Sequence, residues 1–501
     1  MPSVIDLTLA GRKVWHHGPW SRTPVDAAVF ELAGAELAQG RFGLLDLWAE
    51  PGIVHLAILD APAQAVAVFS LACPDQHYPS ISSQHPPALR LERAIHDLYV
   101  MSALGSADSR PWLDHGAWGA QAPLGAQVGG SPQASPYRFL PAQGCGLHQI
   151  AVGPVHAAII EPGHFRFSVH GEQVLRLQTR LGYSHKGTLA MMRGKSPRLA
   201  ALFAARISGD ATVAHGIAFA RAAEAALALE IPPRAVYLRA VMAEIERIAN
   251  HAGDIGAIAG DAGFAFLDAR LAWHRECFCA AAQAAFGHRL MMDHVIPGGV
   301  AGDIKTAGAD AISRALDALE TELPSLTRIF EDYASLQDRL VGTGMIPVAL
   351  AEQYAAGGFV GRASGRDTDA RRNPGYPPYD QLELAVPVET DGDVGARIRI
   401  RIAELTESIR LLRRCLAECP DGQIAVAPPV GSGMGCAVAE SFRGPVWHWL
   451  TLDAGMITDI FIADASTLHW PLLEHAAMTG IVADFPLINK SINASYSGVD
   501  L

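Results

Sequence analysis

The polar side chains able to do chemistry fall into a few tight groups. Glu244-Ile-Glu-Arg247-Ile-Ala-Asn250-His251-Ala-Gly-Asp254 sets an arginine and a histidine four positions apart, and so on one helical face. Histidine and carboxylate at that spacing suit either a metal or hydrogen bonds between helices, and we read them as the latter. His96 and Asp97 are read the same way. The stretch from Arg362 to Arg372 carries Arg362, Arg366, Arg371 and Arg372 with Asp367 and Asp369. Its mixed charge is expected to form a docking surface, because its glycine spacing matches no phosphate-binding loop. No dinucleotide fingerprint is present, so any nicotinamide chemistry is expected in another polypeptide. The seven cysteines (73, 145, 277, 279, 415, 419, 436) are odd in number, scattered, and form no Cys-x-x-Cys pair. With no basic-then-apolar leader at the start, this set predicts a reducing, cytoplasmic location. Cys415 and Cys419, one helical turn apart, are expected to pack in an apolar face.

These groups need a large framework. The 501 residues exceed one ordinary core, and 50% hydrophobic against 18% charged residues allow extensive burial. A formal net charge of −12 argues against nucleic acid as a partner. The best uncharged run, Gln423 to Ala439, is broken by prolines and glycines, so no membrane span is predicted and membrane contact is expected only through partners. Period-two patterning over 53–59 and 65–69 predicts strands, and 89–99 a helix. A Gly/Ala/Gln/Ser/Pro-rich stretch from Gly119 reads as an exposed linker. Beyond it, 150–174 predicts a β-hairpin turning near His170-Gly-Glu172. Helices are expected over about 197–230, 235–257, 266–291, 307–340 and 397–418, and a hairpin over 445–452 and 456–463. The fold expected is α+β: an α/β module over 1–118, a linker over 119–143, and a mainly helical bundle with small peripheral hairpins over 144–501.

The N-terminal module resembles the small peripheral C-type subunit of respiratory complex I through Tyr78-Pro-Ser-Ile81 and Glu92-Arg93-Ala-Ile-His-Asp97-Leu-Tyr99, with Val100 where that family has glycine. The remainder resembles the D-type subunit of complex I and the nickel-iron hydrogenase large subunit of formate-hydrogenlyase type (the hydrogenase-4 component G kind). The segments that carry this are Gly153-Pro-Val-His156 through Glu161-Pro-Gly-His164-Phe-Arg-Phe167, Arg180-Leu-Gly-Tyr183-Ser-His185-Lys-Gly187, Glu244 to Gly256, Arg362-Ala-Ser-Gly365, Glu440-Ser-Phe-Arg443-Gly444 and Asp484-Phe-Pro-Leu-Ile-Asn-Lys490. They occur in family order.

Two further segments match the family's metal-binding motifs without their cysteines. Arg206-Ile-Ser-Gly-Asp-Ala-Thr-Val-Ala-His215 is similar to Arg-x-Cys-Gly-x-Cys-x-x-x-His, with Ser208 and Ala211 at the cysteine positions. Ser495-Tyr-Ser-Gly498 is similar to the C-terminal Cys-x-x-Cys, with Ser495 and Gly498 there. Nickel and low-spin iron take soft thiolates, so no metal is expected. The complex I quinone-pocket histidine and tyrosine fall on Ile160 and Gly209. No cofactor bound directly is therefore expected; a quinone-like ligand would have to bind by a route the family does not predict, with His156 either a substitute donor or a histidine bonded to backbone. The resemblance places Glu161 in proton transfer and Arg443 over the active site, and Asp210 adds a second acid. A buried carboxylate beside an arginine makes sense as a proton relay, and equally as an ion pair holding loops together. The function implied is a subunit on the cytoplasmic side of the inner membrane, in an ion-translocating oxidoreductase with an iron–sulfur small subunit and antiporter-like membrane subunits. A non-catalytic scaffold for an ion-translocating membrane module is the alternative.

Overall fold

The computed structural model describes residues 14, 17–125, 136–157 and 160–501. The N-terminal part is a four-stranded sheet ordered Arg22–Val25, Ala65–Ala72, Ile53–Asp60, Gly43–Glu50, the first pair parallel and the others antiparallel. The helix Ala27–Ala38 begins at Asp26, whose carboxylate accepts the Val29 N–H. The helix Leu89–Tyr99 buries Leu91, Ile95, Leu98 and Tyr99, a 3–4 spacing that lays one apolar stripe on the core.

A second, antiparallel sheet comprises Leu147–Val152, His164–His170 and Gln173–Arg180. The expected turn at Gly171 is present, and the expected hairpin gains a third strand. The helices follow. Pro233–Asp261 packs against Ala265–Phe286 and Val394–Glu418, and Ala265–Phe286 against Thr306–Asp332. Two of them start where the sequence signals it. Pro233 occupies the first turn, where its missing N–H costs nothing, and Asp393 caps Val394–Glu418 through the Ala396 N–H at 2.7 Å.

The α+β class holds, but the predicted hairpin near the end is neither small nor peripheral. Gly444–Asp453 and Met456–Ala463 form one sheet with Gly433–Ser441, whose far edge pairs in parallel with His17–Gly18 of the N-terminal part. The strand Gly433–Ser441, not among the elements expected from the sequence, carries glycines at 433 and 435. They are there because the helix Thr212–Ala226 lies on it: a Cβ at Gly433 or Gly435 would fall 2.1 or 2.0 Å from the carbonyl oxygens of Ala226 and Ala222. Trp48 of the first sheet packs near Trp447 and Trp449 of this one, and one apolar core runs through both. The expected linker also docks at its start, with Ala122 and Leu124 buried. Its residues 126–135 lie outside the described residues.

Among the described residues no helix is long and apolar enough to cross a membrane. Cys415 is buried and Cys419 half-buried, in keeping with packing.

Candidate functional site

The two cysteine-less segments meet. Ser208 ends the loop before the helix Thr212–Ala226, and Ser495 follows the helix Phe485–Ile492 near the chain end. Their hydroxyl oxygens are 3.0 Å apart. Donor counting sets the polarity of the array. The Gly498 N–H donates to Ser495 Oγ at 2.9 Å, Ser495 to Ser208, and Ser208 Oγ–H to Asp210 Oδ1 at 2.7 Å. Ala211 is fully buried, and a Cβ on Gly498 would sit 2.9 Å from both Asp464 Cγ and Ser495 Oγ. The donors here are oxygen, with a methyl group at Ala211 and only hydrogen at Gly498. Such a set does not fit a centre that needs thiolates.

Arg443, in the turn after Gly433–Ser441, is buried and clamps Asp210 with two N–H groups at 2.8 and 2.5 Å. Its Nε–H goes to the Asn493 carbonyl, and its guanidinium lies 4.4 Å from the centre of the Phe442 ring. Burial pushes the Asp210 carboxyl up, yet the adjoining guanidinium outweighs it and holds the group below the ordinary carboxylate range. The same contact raises Arg443 against its own burial.

This pair, both serines, Glu161 and His156 line one cavity of about 700 Å³, walled on its apolar side by Val152, Phe165, Phe485 and Tyr496. The four predicted site residues therefore converge, but not as paired in sequence. Glu161 is exposed, and its carboxylate accepts the Ser497 N–H at 3.1 Å; Asp210, not Glu161, partners the arginine. His156 Nε2 lies 3.0 Å from the Gly163 carbonyl and donates to it, the backbone-bonded alternative. Ile160 and Gly209 also line the cavity, and a Cβ on Gly209 would meet nothing within 4 Å, which leaves that wall open.

Two elements escaped sequence reasoning. Asp464 Oδ2 is 3.0 Å from His215 Nε2, and His215 Nδ1 is 3.0 Å from His448 Nε2, all three buried. Burial raises the Asp464 carboxyl, but His215 and Arg443 hold it well below the usual range. His448, with no carboxylate of its own, is driven far below the normal imidazole range by burial. Only His215 carried a signal, as the last residue of the first motif. The second is Glu246, buried, with its two oxygens accepting the Val213 and Ala214 N–H groups at 2.7 and 3.1 Å. Burial lifts its pKa to about 8, aided by Asp210.

In the helical group at 244–254, His251 bonds between helices as expected, whereas Arg247 reaches the strand Gly433–Ser441 instead. Arg247 donates to the Ser441 and Glu440 carbonyls, and His251 to Glu404 at 2.7 Å. The Arg362–Arg372 segment is no docking surface. Arg362, Asp369 and Arg371 are buried, joined to Glu244, Glu404 and Glu440. Within it the Arg372–Asp367 pair faces solvent. Among the described residues no group of three or more His, Cys, Asp or Glu is arranged to hold a metal ion.

The first motif loop and the C-terminal segment thus meet over one cavity. Residues 263–431 match the family of the respiratory-chain NADH dehydrogenase 49 kDa subunit, and residues 186–253 that of the nickel-dependent hydrogenases. The carbon monoxide-induced hydrogenase of Rhodospirillum rubrum is 29% identical over 354 residues, 70% of this chain and 98% of that protein. Formate hydrogenlyase subunit 5 of Escherichia coli is 26% identical over 436 residues, 84% of this chain and 77% of that protein. The D-type subunit of the NADH-quinone oxidoreductase of Rhizorhabdus wittichii is 32% identical over 334 residues, 64% of this chain and 80% of that protein. The chain belongs to this family of complex I 49 kDa (D-type) subunits and nickel-iron hydrogenase large subunits.

Proposed function

We propose that this chain is a peripheral subunit of a membrane-bound, ion-translocating oxidoreductase complex, on the cytoplasmic side, that works without a nickel-iron centre. Its cavity would lie between a partner iron–sulfur subunit and antiporter-like membrane subunits. The family, with relatives named as formate hydrogenlyase and NADH-quinone oxidoreductase subunits, supports the setting. The observation that carries the reading of the site is the hydrogen-bonded run Ser495–Ser208–Asp210–Arg443 where the family's thiolates would converge. Asp210 is the proton-exchanging group: it opens on the cavity, its hydroxyl donor Ser208 can reorient, and Arg443 stabilises its anion. Glu161 sits at the same cavity as the outer acid, and His156 holds the loop that carries it. A quinone head group is the ligand the apolar wall would accept, with Arg443 and Ser495 in place of the family's partners at Ile160 and Gly209.

The test is to tag the protein in its host, solubilise the membranes gently, and measure copurifying subunits, iron and nickel. Membrane subunits with iron and no nickel support the proposal, and stoichiometric nickel sinks it. Membrane subunits without iron would favour the scaffold, a reading supported by the closing of serine hydroxyls over the thiolate positions. Glu161→Gln and Asp210→Asn should each lower turnover and leave assembly intact; unchanged activity removes that residue from the mechanism.

A further inference from the structure

A second, smaller chamber of about 50 Å³ lies between the N-terminal sheet and the C-terminal sheet. Its polar walls are Asp46 from Gly43–Glu50, Arg366 and Asp369 from the segment after the helix Gly358–Arg362, Glu440 and Trp447 from the C-terminal strands, and Asp464 just after Met456–Ala463. All but Arg366 are more than nine-tenths buried. Asp46 Oδ1 accepts the Leu47 N–H at 2.8 Å, whereas Asp46 Oδ2 and the Trp447 indole N–H have no protein partner among the described residues. Two unpartnered buried polar atoms on one small chamber are costly unless something in it bonds to them. At about 10–15 Å³ of such volume per molecule, the chamber has room for about three waters.

The charges around it fix what that water would carry. Asp46 has no bonded cation: the Arg366 Nη1 donates to the Ala356 carbonyl instead. Asp369 is spoken for by Arg362 and Arg371, and Asp464 by His215. Burial raises the Asp46 carboxyl well above the carboxylate range, and Glu440 is raised by burial and by the neighbouring Asp369. We propose that this chamber is a hydrated proton store, in which ordered water bridges Asp46 to the Trp447 indole and relays a proton from bulk solvent to the Asp46 carboxylate, which becomes the neutral acid while the water is left unchanged. Asp464 is common to this chamber and to the serine-lined centre, since its Cγ lies 2.9 Å from where a Cβ on Gly498 would be. The inference does not depend on the redox reading above.

Infrared spectroscopy of the full-length protein at neutral pH tests it. We expect a protonated-carboxyl C=O component that is lost in Asp46→Asn, downshifts promptly in D₂O, and shifts in Trp447→Phe, which keeps an aromatic ring and removes the donor. A spectrum unchanged by Asp46→Asn overturns the proposal, as does a component that fails to exchange in D₂O, or one that Trp447→Phe leaves in place. Should Asp46→Asn not fold by circular dichroism, the exchange and Trp447→Phe readings decide.

Discussion

Two sets of arginines and carboxylates share one helical framework and differ in a single respect, access to water. In the first, Arg362 bonds Glu404 at 2.7 Å, Glu440 at 3.0 Å and Asp369 at 3.2 Å, and Arg371 bonds Asp369 and Glu244, with every member almost wholly buried. In the second, Arg443 is equally buried, but the side chain of its partner Asp210 is 36% exposed on the 700 Å³ cavity. The first set cannot change its charge without stranding a buried ion, so it locks the helices to the C-terminal sheet. In the second, water on the cavity side can compensate part of a change in the charge of Asp210, although Arg443 still favours the anion. Residue type does not separate structure from chemistry here; solvent access does.

The largest expected effect breaks the closed set. Arg362→Ala would leave three buried carboxylates short of their cation and should destabilise the protein by roughly 3–5 kcal/mol, read from urea unfolding. A loss below about 1 kcal/mol would mean that the network is wetter than its burial indicates.

Glu246 sharpens the contrast through pH. Its folded pKa of about 8 lies above the usual carboxyl value, so the folded state holds a proton that the unfolded state releases. Its contribution to stability is complete below the unfolded pKa near 4 and is lost as pH rises through about 8. Against wild type, Glu246→Gln should gain on the order of a few kcal/mol in relative stability between about pH 4 and about pH 9. A stability difference that does not vary with pH would refute the buried, protonated carboxyl.

At the open set, Gly498→Ala pushes a Cβ to within 2.9 Å of Asp464 Cγ and Ser495 Oγ. It should cost about 1–3 kcal/mol in denaturant melts; no cost would show that the serine array has slack. Asp210→Asn should cost only about 1 kcal/mol, because the site is partly solvated and the amide oxygen still accepts from Arg443. Its effect belongs in turnover, with a fall of about 10²–10⁴-fold as for a lost proton-transfer group. The smallest change is expected from His156→Gln, whose one hydrogen bond to the Gly163 carbonyl is worth about 1 kcal/mol and whose removal should leave proton transfer intact.

What the sequence determined by itself is what local rules govern. Period placed the helices Leu89–Tyr99, Pro233–Asp261, Ala265–Phe286 and Val394–Glu418, and alternation placed Ile53–Asp60 and Ala65–Ala72, because apolar spacing records which face a segment buries, whereas the helices expected over 197–230 and 307–340 are each broken, the first around Ser208 and the second at Tyr333. Motif order identified the family and brought Glu161, Asp210, Arg443 and His156 to one cavity. What only tertiary structure decided is what those side chains meet. Arg443 chose Asp210 over Glu161, the charged Arg362–Arg372 segment went inward to carboxylates from three other elements, and Gly433–Ser441 became a strand because a helix needed glycines to lie close. Asp464, His215 and His448 are separated by more than two hundred residues from first to last, and no spacing rule joins them. Pairing and burial depend on which distant elements arrive at the same place, and that is settled only when the whole chain folds.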